Sequence, residues 1–133
     1  MPAFTASSTV YDLLTINGGT TLATVQRGAF NGMKVKEISL WSIGVTTIQS
    51  GAFHDVGDLV KLSLYNNQME TIPDDAFNGL KQLKTLCLCS NPLKTVNASW
   101  CSQMPALEML QLQNNQLETI QDGAFNGLNQ LNT

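Results

Sequence analysis

A chain of 133 residues is long enough to bury one continuous core and too short for two. With 43% apolar and 13% charged residues, ten Gly and four Pro, it is neither disordered nor collagen-like. Seven basic against ten acidic side chains leave a net charge of -3, which argues against the basic face that nucleic acid or an anionic membrane requires.

Residues 1–10 contain Pro2-Ala3-Phe4, which looks like the tail of a unit repeated further on, so they are read as a partial preceding repeat or an N-terminal edge. The opening MPAFTASSTV has neither the basic start nor the apolar stretch of a secretory signal. No apolar run anywhere reaches the roughly 18 to 20 residues of a membrane span, so no membrane insertion is expected of this chain. From residue 11 the sequence matches itself at a step of 24, the mark of a repeat architecture. Leu14, Ile38, Leu62, Leu86 and Leu110 fall 24 apart, and so do Ile16, Leu40, Leu64, Leu88 and Leu112. The same step links Val35, Leu59, Leu83, Leu107 and Leu131, then Val45, Met69, Leu93 and Leu117, while Phe30, Phe53, Phe77, Trp100 and Phe125 recur at 23 to 25. Residues 11–130 therefore hold about five units, and 131–133 start a truncated sixth. The first unit is one residue out of step at Leu22 and Val25, and Gly19 and Ile43 stand where later units carry Asn, so stacking is expected to be weakest there.

The unit is best seen in residues 107–130, LEMLQLQNNQLETIQDGAFNGLNQ. Alternation in L-x-L puts the leucines on one side of a short strand and the intervening residues on the other. One unit cannot bury its leucines alone, so units must stack. The Asn column, Asn67, Asn91 and Asn115, supplies amides that both donate and accept, suited to satisfying backbone groups in the buried turn after each strand. This pattern resembles the leucine-rich repeat, in the 24-residue form of extracellular animal proteins such as Toll-like receptors, the variable lymphocyte receptors of jawless fish and matrix proteoglycans. The resemblance implies an α/β solenoid: an arc with short parallel strands on its concave face and turns or short helical segments on its convex face. Asp74 and Asp75 precede the Ala-Phe stretch of the return and fit N-terminal capping better than a cation site. The repeated Phe-Asn-Gly sequences read as turns. The polar caps that solenoid ends need are missing, so the chain reads as part of a longer protein, or as one that self-associates through its open ends.

The candidate recognition surface lies in the columns between and after the core leucines. The middle of L-x-L gives Thr15, Ser39, Ser63, Cys87 and Gln111; the next outward column gives Asn17, Trp41, Tyr65, Cys89 and Gln113. Trp41 and Tyr65 stand out as an exposed aromatic pair of the kind that dominates interface hot spots; the competing reading is a cross-strand pair that only supports the sheet. With them we group Cys89, Gln113, Ser63, Asn66, Lys61 and Glu37 as concave-face ligand residues. Charges in neighbouring repeats are expected to pair: Asp12 with Lys36, Glu37 with Lys61, Lys84 with Glu108. That leaves a mildly polar, aromatic-centred face suited to a protein or glycan ligand.

No chemistry assembles. The single histidine, His54, has no Ser or Cys predictably beside it, and neither a P-loop nor a dinucleotide-binding glycine motif occurs, so no catalytic residue, metal or cofactor is expected. Asn97-Ala98-Ser99 matches a glycosylation acceptor on the outer return. Cys87 and Cys89, in LCLCSN, point to the same side of a strand with Cβ atoms roughly 6 to 7 Å apart by the strand rise, too far for a relaxed disulfide. Cys101 sits across the leucine core. No intrachain disulfide is expected. The resemblance implies a non-enzymatic module of a secreted or cell-surface protein engaged in innate immune pattern recognition. The alternative is an intracellular, cytoplasmic scaffold for protein-protein interaction, which unpaired thiols would favour.

Overall fold

The computed structural model describes residues 10–17, 21–128 and 130, with the backbone alone at 10–12. Along the chain run β1 (Val10–Ile16), β2 (Thr24–Val25), β3 (Lys34–Leu40), β4 (Thr47–Ile48), β5 (Lys61–Ser63), β6 (Thr85–Cys87), β7 (Thr95–Val96), α1 (Ala98–Ser102), β8 (Met109–Gln111) and β9 (Thr119–Ile120). The inner sheet is parallel, in the order β1-β3-β5-β6-β8. Its register is the sequence period made spatial: Leu14 faces Ile38, Ile38 faces Leu62, Leu62 faces Leu86 and Leu86 faces Leu110. Each coil thus buries its leucines against the coil before it, giving a leucine-rich-repeat arc whose core is continuous from Leu22 to Leu128.

The out-of-step first unit is absorbed on the return. There β2 pairs with β4 in parallel, Thr24 opposite Thr47 and Val25 opposite Ile48, a step of 23 instead of 24. Leu22 and Val25 are buried like their later counterparts, and the Leu22 N–H donates to the Ile43 carbonyl at 2.8 Å. Gly19 lies outside the described residues, as do most of the N-terminal edge at 1–10 and the sixth start at 131–133.

The Ala-Phe returns are turns, and the fourth return alone among the described residues carries a short helix. Each Ala-Phe pair begins with the same tight bond, from the N–H of Ala29, Ala52, Ala76 and Ala124 to the carbonyl three residues earlier. The expected helix N-terminus at Asp74 and Asp75 is therefore absent: this segment is turn throughout. Gly79 and Gly127 close their turns at φ of +90° and +86°, a region that favours glycine. In the fourth unit Ser-Trp-Cys stands where others carry Ala-Phe-Asn, and the chain makes the five-residue helix α1; the second unit also lacks the Phe-Asn-Gly glycine but stays a turn, with Asp55 left-handed at φ of 63°.

Aromatic rings fill the width between the faces. Phe30 stacks on Phe53 at 5.8 Å, Phe53 on Phe77 at 6.4 Å, and Trp100 meets Phe77 edge-on at 5.8 Å. The Trp100 indole N–H donates to the Pro73 carbonyl at 3.2 Å, which satisfies the one polar atom this ring brings inside.

Candidate functional site

The turn after each inner strand is held by the Asn column. Asn67 Oδ1 accepts the N–H groups of Ile43 and Val45, both at 3.2 Å, and its Nδ2 donates to the carbonyls of Leu40 at 2.8 Å and Leu64 at 3.0 Å. Asn91 repeats this one coil on, accepting from Met69 N–H at 3.3 Å and donating to Leu64 and Leu88 carbonyls at 3.0 and 3.1 Å. Asn115 accepts from Leu93 N–H and donates to Leu88 and Leu112 carbonyls. Every amide ties its own coil to the preceding one. The residue just before each Asn, or before Ile43, is left-handed: Ser42, Asn66, Ser90 and Asn114 have φ of 56° to 60°. Asn66, one of the expected ligand residues, is exposed at such a left-handed turn position, and its Nδ2 donates to Ser42 Oγ at 2.8 Å.

These turns place side chains around an open depression of about 490 Å³ on the inner face. Small residues make its floor: Ser39, Ser63 and Cys87 in the middle column, with Gln111 at the far end. Trp41 and Tyr65 form one wall, exposed by 39% and 43%, and Glu37 with Lys61 forms the other. Six residues grouped from the sequence meet here: Trp41, Tyr65, Cys89, Lys61, Glu37 and Ser63. Gln113 does not line the depression; it sits exposed in the turn beyond β8. Ser39, Cys87 and Gln111 complete the lining, and the signal for them was the middle column of L-x-L.

Electrostatics of the wall are neutral. Lys61 Nζ lies 3.5 Å from Glu37 Oε1, an exposed pair of small stabilising effect. Among the described residues it is the only ion pair: Lys84 and Glu108 do not bridge, and the Asp12 side chain lies outside the described residues. The Trp41 indole N–H, the Tyr65 hydroxyl and the Ser39 and Ser63 hydroxyls have no hydrogen-bond partner among the described residues. Nor do the rings of Trp41 and Tyr65 stack on one another.

The expectation of free thiols at Cys87 and Cys89 is overturned. The two are joined in a disulfide, with Cα atoms 5.6 Å apart. The extended-strand estimate fails because β6 ends at Cys87 and the chain is already turning toward the left-handed Ser90. That bend draws the Cα atoms in from the roughly 6.6 Å of an extended strand to the commonest disulfide separation of about 5.5 to 6 Å. Both residues are nearly buried, and both line the floor. Cys101 is buried on the far side of the core as a free thiol, and burial raises its pKa above the ordinary value.

Asn97 is half-buried, not freely exposed: its Nδ2 donates to the Ile72 carbonyl at 3.1 Å and to Asp74 Oδ1 at 2.9 Å. Asp74 thus anchors the next coil, its carbonyl also accepting from Ser99 Oγ and Gln103 Nε2. Among the described residues no group of three or more His, Cys, Asp or Glu could hold a metal ion, and no helix is long and apolar enough to cross a membrane.

The BspA type leucine-rich repeat region matches residues 4–132 in six copies. No curated protein matches the chain. Among solved structures, a chain of the octameric complex of Latrophilin 3 (Lec, Olf), Unc5D (Ig, Ig2, TSP1) and FLRT2 (LRR) superposes with a TM-score of 0.77 at 25% identity, over 92% of this chain and 36% of that one. A chain of the Toll–Spatzle complex of Drosophila gives 0.69 at 23% identity, over 90% and 19%. A chain of the TLR13–ssRNA13 complex gives 0.59 at 21%, over 90% and 24%. The chain thus spans about a third or less of the length of these three solved chains.

Proposed function

Because the chain belongs to the BspA-type leucine-rich-repeat family, we propose that it is a non-enzymatic recognition module that takes a protein or glycan ligand in the depression of its concave face. One observation carries the reading: Trp41 and Tyr65 stand half-exposed on neighbouring coils just past the ends of β3 and β5, with polar atoms that have no partner among the described residues, while the other side of the inner sheet is filled by leucines. Rings that only supported the sheet would pack on each other or on a neighbour. Rings held apart with free donors suit a partner's surface. The neutral Glu37–Lys61 wall and the net charge of -3 weigh against a polyanion such as nucleic acid.

The setting we favour is the secreted or cell-surface, 24-residue class of repeat, with innate immune recognition as its use. The Toll and TLR13 structures are similar in fold, and the Cys87–Cys89 disulfide supports an oxidising compartment. Unpaired thiols had favoured the intracellular scaffold; with two of the three paired, that alternative loses its main support. A glycan on Asn97 belongs to the same reading, and would require its bonds to Ile72 and Asp74 to give way.

The test is a double substitution, Trp41→Ala with Tyr65→Ala, screened against a glycan array and a display library of extracellular proteins. Binding that the natural chain shows is lost, with an unchanged circular dichroism spectrum. Full binding by the double variant would put recognition on another surface.

A further inference from the structure

The Cys87–Cys89 bond is poorly placed to hold the fold and well placed to meet what enters the depression. The stabilisation a disulfide gives by loop closure grows with the length of the loop, and here the loop contains Leu88 alone. The strand end is already secured without it. Leu86 and Leu88 are fully buried, the Leu64 N–H donates to the Cys87 carbonyl at 2.9 Å, the Leu88 N–H donates to the Gln111 carbonyl at 2.9 Å, and Asn91 ties the turn behind them. Both half-cystines also line the open depression, between the Tyr65 wall and Gln111.

We propose that Cys87–Cys89 is a thiol-exchange site that takes a small thiol of glutathione class from the depression. The external thiolate attacks one sulfur, the Cys87–Cys89 bond breaks, and the other cysteine leaves as a thiolate; the product is a mixed disulfide beside a free cysteine. A second external thiolate then attacks the mixed disulfide, releasing the oxidised small thiol and leaving a dithiol. No other oxidant or reductant is needed. The volume of about 490 Å³ admits a tripeptide-sized reagent, whereas near-burial of both sulfurs in the floor screens them from a folded protein's thiol. Cys101 takes no part, being buried across the leucine core with its thiol held protonated.

The experiment incubates the natively folded chain, prepared without reductant, with reduced glutathione, quenches it in acid and maps the cysteines by mass spectrometry. Expected are a glutathione adduct on Cys87 or Cys89, conversion to the dithiol with excess reagent, Cys101 unmodified, and an unchanged circular dichroism spectrum. The Cys101→Ala variant behaves identically, and the combined Cys87→Ser and Cys89→Ser variant forms no adduct. Alkylation of both thiols before any reagent is added, exchange seen only in denaturant, or collapse of the spectrum on reduction would each overturn the proposal. So would a thioredoxin-class protein dithiol reacting as fast as glutathione. The probe is glutathione and not the ligand of the face, so exchange can fail while recognition by Trp41 and Tyr65 stands, and the reverse.

Discussion

At the scale of single residues, this protein is organised by amides. Asn91 is a buried side chain that answers four backbone groups on two coils, Met69 N–H and the Leu64, Leu88 and Cys89 carbonyls. Asn91→Ala leaves these groups without partners in a site closed to water. We expect a loss of about 3 kcal/mol from the cost of orphaned buried groups, read as a lower urea midpoint. Asn115→Ala is expected to cost about half as much, because its turn is partly open to solvent. Equal losses at the two positions would mean that burial is not what gives the column its weight. The column was legible from three asparagines spaced by 24 and from nothing more local. Asn66 carries a second role that the spacing did not show. It is exposed beside Tyr65, and its φ of 58° makes it the left-handed residue of the turn as well.

Among elements, the return segments separate what the repeat dictates from what it leaves open. The Phe column is dictated, since each ring stacks on the next across the body of the solenoid. Phe53→Ala, between two rings, is expected to cost about 3 to 5 kcal/mol as a large-to-small change in a closed core. Phe125 occupies the same column at the last coil but is 42% exposed; its replacement by Ala is expected to cost no more than about 1 kcal/mol. Thermal unfolding of the two variants checks the contrast, and a Phe125 loss as large as that of Phe53 would mean that the end coil is covered. Whether a return coils into a helix was not written in the leucine pattern. The glycine of Phe-Asn-Gly does not decide it: that glycine is missing both from Phe53-His54-Asp55, which stays a turn with Asp55 left-handed at φ of 63°, and from Ser99-Trp100-Cys101, where α1 forms.

The whole molecule is a run of stacked coils, with exposed apolar side chains on the last described one. Ile120 is 51% exposed, while Ile48, Ile72 and Val96 in the same column are buried, and Met109 on the edge strand β8 is exposed too. These side chains form an exposed apolar patch among the described residues, of the kind a second copy of the chain can cover. Sedimentation velocity over a concentration series is then expected to show a faster species that Ile120→Lys removes. A single coefficient at every concentration leaves the chain monomeric. The recognition face is also a property of this scale, because the depression exists only where four consecutive inner strands bring Glu37, Lys61, Cys87 and Gln111 into one lining.

What the sequence by itself determined is whatever repeats. A step of 24 residues makes column neighbours into spatial neighbours, so the buried leucines, the amide column and the stacked rings follow from spacing alone. What only the tertiary structure decided is whatever depends on where regularity stops. The ends of β5 and β6 put Tyr65 and Cys89 on the turn side of the depression, and the bend after Cys87 closes the Cys87–Cys89 bond that an extended strand would hold open. Period is a translational property, readable one residue at a time. Strand ends are set by the balance of ladder bonds against the buried turns of the neighbouring coil, and that balance exists only once the coils have stacked.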